Sequence, residues 1–139
     1  MVKKKLRVCT YGSFEVYVGD RPIIFRNRKA KELLAFCIDR RGKTLTSDDV
    51  SEYLWSNRPF GENIRQLYRR AARDLTKTLN QEGLEGVFIR TRGKCRVQME
   101  EIDCDLIRYL DDHNAEPADF AEMYLYEYEW RTVLLSDMK

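Results

Sequence analysis

Seven side chains able to hydrogen-bond nucleobases or phosphates share one short stretch at helical spacing: Asn63, Arg65, Gln66, Arg69, Arg70, Arg73 and Lys77. Stepping 100° per residue from Ile64 as zero puts Ile64, Leu67, Tyr68, Ala71, Leu75 and Leu79 within about 60° of zero. Arg65, Arg69, Arg70, Arg73 and Lys77 fall between about 100° and 240° on the same wheel. One side of such a helix is apolar and the other is a cationic ridge. Past the first turn its only acids are Asp74 and Glu82. Arg pairs with guanine O6 and N7, and Asn or Gln pairs with adenine through two hydrogen bonds. Asn63, Gln66, Arg69, Arg70 and Arg73 are therefore the candidates for base edges. Arg65 and Lys77 lie towards the edge or the C-terminal end and suit phosphates.

Two smaller groups extend the pattern. Arg92 and Lys94 flank Gly93, a turn position, and can reach a neighbouring minor groove or backbone. A hairpin tip is polar in many proteins, so these two carry less weight. Arg40, Arg41 and Lys43 follow an earlier helix and can neutralise phosphates.

Enzymatic chemistry finds little to work with. His113, the lone histidine, has no Ser or Cys nucleophile in a recognisable setting. Asp103, Asp105, Asp111 and Asp112 could gather carboxylates, but acidic runs of this kind are mostly solvated. No phosphate-cradling GxxxxGK[ST] or GxGxxG pattern occurs. Cys9, Cys37, Cys95 and Cys104 contain no CxxC pair, so neither a zinc site nor a disulfide framework is expected. They read as reduced thiols at partly buried positions. No catalytic residue, metal or cofactor is expected.

The elements that must present these groups follow from periodicity. Residues 6–11 and 14–18 are rich in β-branched and aromatic types, and Gly12-Ser13 separates them. Gly19-Asp20-Arg21-Pro22 reads as a turn leading to a third strand, Ile23-Ile24-Phe25. Tight turns between them imply an antiparallel sheet. Ala30, Leu33, Leu34, Cys37 and Ile38 mark one stripe of a helix over 28–40, with Gly42 just beyond its end. Thr46 and Asp49 form a capping-box pattern for a second helix whose inner face is Val50, Tyr53 and Leu54, with Trp55 packing at its end. Residues 57–61 read as a loop. The cationic helix runs over 62–81. Residues 87–91 and 95–99 then make a hairpin around Arg92-Gly93-Lys94. Residues 102–112 read as a short helix, broken at Ala115-Glu116-Pro117. The aromatics from Phe120 to Trp130 are too dense for a plain disordered tail and should pack somewhere.

Length and charge bound the rest. The 139 residues suffice for one domain, or one domain with an appendage. No apolar run reaches membrane-spanning length, and no secretory signal is read after Lys3-Lys4-Lys5. The net charge of +2 conceals an asymmetry. Residues 1–99 hold 22 Lys or Arg against 11 Asp or Glu, and residues 100–139 hold 3 against 12. A basic body points to a polyanion partner, and an acidic end points to a different task. The reading is a basic linker at 1–5, a DNA-binding domain at 6–99 and an acidic, aromatic helical extension at 100–139.

This order of elements resembles the winged-helix DNA-binding effector domain of OmpR-type response regulators, and more closely its SARP-type subset of bacterial transcriptional activators. The residues that carry the resemblance are the run from Leu6 through Gly12-Ser13 to Val16, Arg28-Lys29-Ala30-Lys31-Glu32-Leu33-Leu34-Ala35, Asp39-Arg40-Arg41-Gly42 and Leu54-Trp55. The segment Met123-Tyr124-Leu125-Tyr126-Glu127-Tyr128-Glu129-Trp130 resembles the start of the helical region that follows such domains. The resemblance implies an α+β fold: an N-terminal antiparallel β-sheet, a three-helix core, a C-terminal β-hairpin wing and a short helical acidic tail. It implies sequence-specific binding of double-stranded DNA and transcriptional regulation in a two-component phosphorelay. A receiver domain would precede it in a longer chain. RNA polymerase is an expected partner, a homodimer on repeated half-sites is expected, and the setting is cytoplasmic without membrane contact. The competing reading is a protein-interaction module that contacts polymerase or another regulator through the acidic aromatic tail.

Overall fold

The computed structural model describes residues 4–134, and these residues form two compact units. One is Ile24–Glu101; the other joins the described residues of 1–23 and 102–139. Met1, Val2 and Lys3 of the basic linker lie outside the described residues, as do the last five of the extension.

The Ile24–Glu101 unit holds three helices and a small sheet. Helix α1 (Arg28–Asp39) starts where the Asn27 side chain accepts from the Lys29 amide at 2.9 Å. Its apolar stripe is fully buried: Ala30, Leu33, Leu34, Cys37 and Ile38 are at most 1% exposed. The helix ends in two left-handed residues, Arg41 (φ 58°) and Gly42 (φ 81°). Only glycine fits the second, because a Cβ there would stand 3.0 Å from the Val97 carbonyl oxygen. Strand β4 (Leu45–Thr46) leads into helix α2 (Ser47–Leu54), where Thr46 Oγ1 accepts from the Asp49 amide at 3.2 Å. Helix α3 (Glu62–Gln81) follows a loop.

Strands β5 (Phe88–Thr91) and β6 (Lys94–Val97) form an antiparallel hairpin in which Thr91 faces Lys94, so Arg92-Gly93 is a two-residue turn. Strand β4 adds to the other side of β6, giving the order β4-β6-β5. That two-residue strand has no period to read, and the sequence offers no sign of it. Along α2 the buried residues are Val50, Ser51 and Leu54. Tyr53, expected on the inner face, is half exposed and lies 5.3 Å from the Phe36 ring. Trp55 is packed, at 6% exposure.

The second unit is built on a four-stranded sheet with the order β3-β2-β1-β7. Strands β1 (Leu6–Cys9) and β2 (Glu15–Val18) are antiparallel, with Leu6 opposite Val18. The third strand is corrected in position. β3 is Arg21–Pro22, within the expected turn, and Ile24 is 79% exposed. Proline has no amide to donate and belongs at a sheet edge, which is where β3 lies.

The expected helix over 102–112 is also corrected. Ile102–Cys104 is strand β7, parallel to β1, and only Asp105–Asp111 is helical (α4). Ile102 and Cys104 are buried and Asp103 between them is exposed, a period of two rather than 3.6.

The tail packs within this unit rather than extending as a regular helix. Among its described residues, Phe120–Met123 forms a short α-helical turn (α5). Phe120, Tyr124 and Leu125 are at most 1% exposed. The Leu125 amide donates to the Thr10 carbonyl at 2.8 Å, and the Gly12 amide to the Met123 carbonyl at 3.1 Å. The acidic segment after Glu101 belongs to the same unit as the N-terminal strands.

Candidate nucleic-acid interface

Helix α3 carries its polar groups on a frame anchored by Ile64, Tyr68, Ala71, Ala72, Leu75 and Leu79, all buried. Leu67, read as core, is half-buried at the edge of that face. Asn63, Arg65, Gln66, Arg69, Arg70, Arg73 and Lys77 are all exposed. The bulk of the amphipathic pattern thus maps onto one buried and one solvent-facing side.

Several of these arginines already have carboxylate partners. Arg69 Nη2 donates to Glu62 Oε2 at 2.5 Å. Arg65 lies 3.5 Å from Asp48 and 3.9 Å from Glu62, with its guanidinium 5.0 Å above the Phe60 ring. Arg73 Nε is 3.9 Å from Asp74. The arginine side chains in these pairs are between 44% and 70% exposed. Exposed pairs of this kind contribute about 0–1 kcal/mol each, so a phosphate or a guanine edge can displace the carboxylate. Arg70 and Lys77 have no carboxylate partner among the described residues.

A groove of about 250 Å³ lies between α2, α3 and the hairpin. Arg65 and Arg69 line it from α3; Arg90, Arg92 and Lys94 line it from the hairpin; Asp48 is its carboxylate. The structure therefore brings Arg92 and Lys94 together with two of the α3 cations. It also adds Arg90, which the sequence reading passed over. The available signal was its outward register in β5, two residues before the turn.

Arg40, Arg41 and Lys43 do not line this groove. Arg40 is bonded to Asp39 and covers the Phe36 ring at 4.3 Å and the Tyr53 ring at 5.1 Å. Arg41 and Lys43 are exposed.

Behind the groove lies a buried polar cluster of Cys37, Tyr68 and Cys95. Burial, more than the neighbouring thiols, pushes the Tyr68 hydroxyl well above its usual range. Hydrogen bonds from Cys37 and Tyr68 bring the Cys95 thiol down to about 7 against the opposing effect of burial, with Arg90 helping. All four cysteines are free. Among the described residues no group of His, Cys, Asp and Glu could hold a metal ion.

The acidic segment engages its own unit. Asp105 accepts from the Thr10 amide at 2.9 Å, the Thr10 hydroxyl at 2.6 Å and the Tyr11 amide at 3.1 Å. Asp119 accepts from the Tyr11 hydroxyl at 2.7 Å, and Glu127 from the Phe14 amide at 2.8 Å. Asp103 and Glu116 hold Arg108. His113 stacks on Tyr109 with ring centroids 4.2 Å apart. Among the described residues no helix is long and apolar enough to cross a membrane.

No family model matches the chain, and no curated protein matches it in sequence. Its fold is similar to that of a solved structure, Mycobacterium tuberculosis EmbR in complex with a low affinity phosphopeptide. The TM-score is 0.68 at 20% sequence identity, over 81% of this chain and 30% of that one. At that identity the likeness shows a shared mixed α+β fold. The chain spans less than a third of the length of that protein.

Proposed function

We propose that this chain is a sequence-specific double-stranded DNA-binding module of a transcriptional regulator, with a winged-helix architecture of the OmpR type. Helix α3 enters the major groove, as the last helix of a helix-turn-helix does. The β5–β6 hairpin acts as the wing against the adjacent backbone or minor groove. The observation that carries this reading is the two-sided α3: its inner face is buried, and the amides and cations of its outer face are exposed. A major groove about 12 Å wide admits one α-helix of about that diameter.

Roles follow from chemistry. Asn63, Gln66, Arg69, Arg70 and Arg73 face base edges, each good bidentate contact discriminating by about 1–3 kcal/mol. Arg65, Lys77, Arg92 and Lys94 contact phosphates, with Arg41 and Lys43 as outlying cations. The larger setting is the effector part of a two-component response regulator in the cytoplasm. There a receiver domain in a longer chain, RNA polymerase and a second copy on repeated half-sites are its partners. The fold similarity to EmbR supports the architecture.

Selection of bound duplexes from a random DNA library tests the reading. A shared motif after successive rounds is expected. Recovery of unenriched sequence would remove the claim of specificity.

A further inference from the structure

The first groove lies on one flank of α3. On the wheel set from Ile64, its α3 residues Tyr68, Arg65 and Arg69 fall at about 40°, 100° and 140°. A second groove opens on the opposite flank, where Leu67, Arg70 and Asp74 fall at about 300°, 240° and 280°. Its far wall is the start of α1, with Arg26, Arg28 and Lys29, and Trp55 lies in its lining.

The charges in this second groove are unequally satisfied. Its carboxylate, Asp74, accepts from Asn27 Nδ2 at 3.0 Å. Lys29 is held by Glu32 at 2.9 Å and by the Leu54 carbonyl, and sits 5.3 Å over the Trp55 ring. Arg26, Arg28 and Arg70 are exposed and have no carboxylate partner among the described residues. Arg65 and Arg69, on the other flank, are both paired. Three unpaired guanidiniums around one groove repel each other until an anion enters, and guanidinium suits phosphate geometry.

A helix filling a major groove has a phosphate backbone along each of its flanks. We propose that Arg26 and Arg28 form a second phosphate-binding wall beside the base-facing Arg70, gripping the DNA strand opposite the one met by the hairpin cations. The inference rests on the DNA-binding reading above. It adds Arg26 and Arg28, ahead of and at the start of α1, to the interface.

The test uses the full chain and a mixed-sequence duplex of about two helical turns, with affinity measured across a salt series. Each phosphate contact removed lowers the salt slope by about 1. Arg26→Ala with Arg28→Ala should therefore flatten the slope by about 2 and weaken binding alike on all sequences. Arg26→Lys with Arg28→Lys should keep the slope, since the charge remains. A double alanine variant with the slope and affinity of the parent overturns the inference and leaves the α3 reading standing. So does a changed sequence preference, which would make these residues base readers. Parent protein that ignores the duplex removes both. Double-stranded RNA should bind more weakly, because its deep, narrow major groove excludes a helix; equal binding contradicts the two-walled geometry.

Discussion

Asp105 is 4% exposed, and its carboxylate gathers two backbone amides and a hydroxyl from Thr10 and Tyr11. Removing it strands buried donors, each worth about 1–3 kcal/mol. Asp105→Ala should lower stability by about 2–4 kcal/mol in denaturant unfolding, while Asp103→Ala, at an exposed ion pair, should change it by less than about 1 kcal/mol. The neighbouring Cys104 thiol is pushed up to about 12, by burial first and by the Asp105 charge second. Unfolded, the thiol ionises near 9, so between about pH 9 and 12 the unfolded chain binds fewer protons than the folded one. Stability must therefore be complete below pH 9 and fall as pH rises, by up to about 1.4 kcal/mol per unit for this group. Tyr68, raised in the same direction by burial, adds to the fall above pH 10. Unfolding of Cys104→Ala between pH 9 and 11 should show a slope shallower by about 1 kcal/mol per unit; an unchanged slope contradicts the assignment.

Gly42 and Gly93 separate two consequences of a left-handed backbone. Gly93 (φ 72°) turns the hairpin in open space, whereas a Cβ at Gly42 (φ 81°) would meet Val97 O at 3.0 Å and Met99 Cγ at 3.1 Å. Gly93→Ala should cost about 1 kcal/mol and Gly42→Ala about 2–3 kcal/mol, compared by thermal melts. Elements with long periods were legible before the fold: α3 begins and ends at the expected residues because twenty positions repeat one apolar stripe. Short elements were not. Pro22 and Arg21 pair as an edge strand although their types signal a turn, and Ile102–Cys104 is too brief for three residues to declare a period against the helical run after it. The α3 cations were legible as a face. Arg90 and the Arg26–Arg28 wall were not, since only tertiary packing sets them beside α3.

At the scale of the whole chain, the composition shift near residue 100 coincides with the Glu101/Ile102 boundary between the two units, and the acidic segment after it shares a unit with the N-terminal strands. Deleting 113–139 strips Phe120, Tyr124 and Leu125 from the core of the unit built on β1. One buried Phe alone is worth about 3–5 kcal/mol, so the truncated chain should lose at least that much, seen as an early thermal transition. The account as a whole turns on α3 meeting a duplex. The most direct measurement is duplex affinity as a function of salt for the parent chain and for Arg69→Ala with Arg73→Ala. With about five phosphate contacts, log affinity should fall against log salt with a slope near −4 to −5, and the double variant should lose preference for the selected motif while its thermal melt is unchanged. No binding at low ionic strength, or full motif preference in the double variant, would contradict the account.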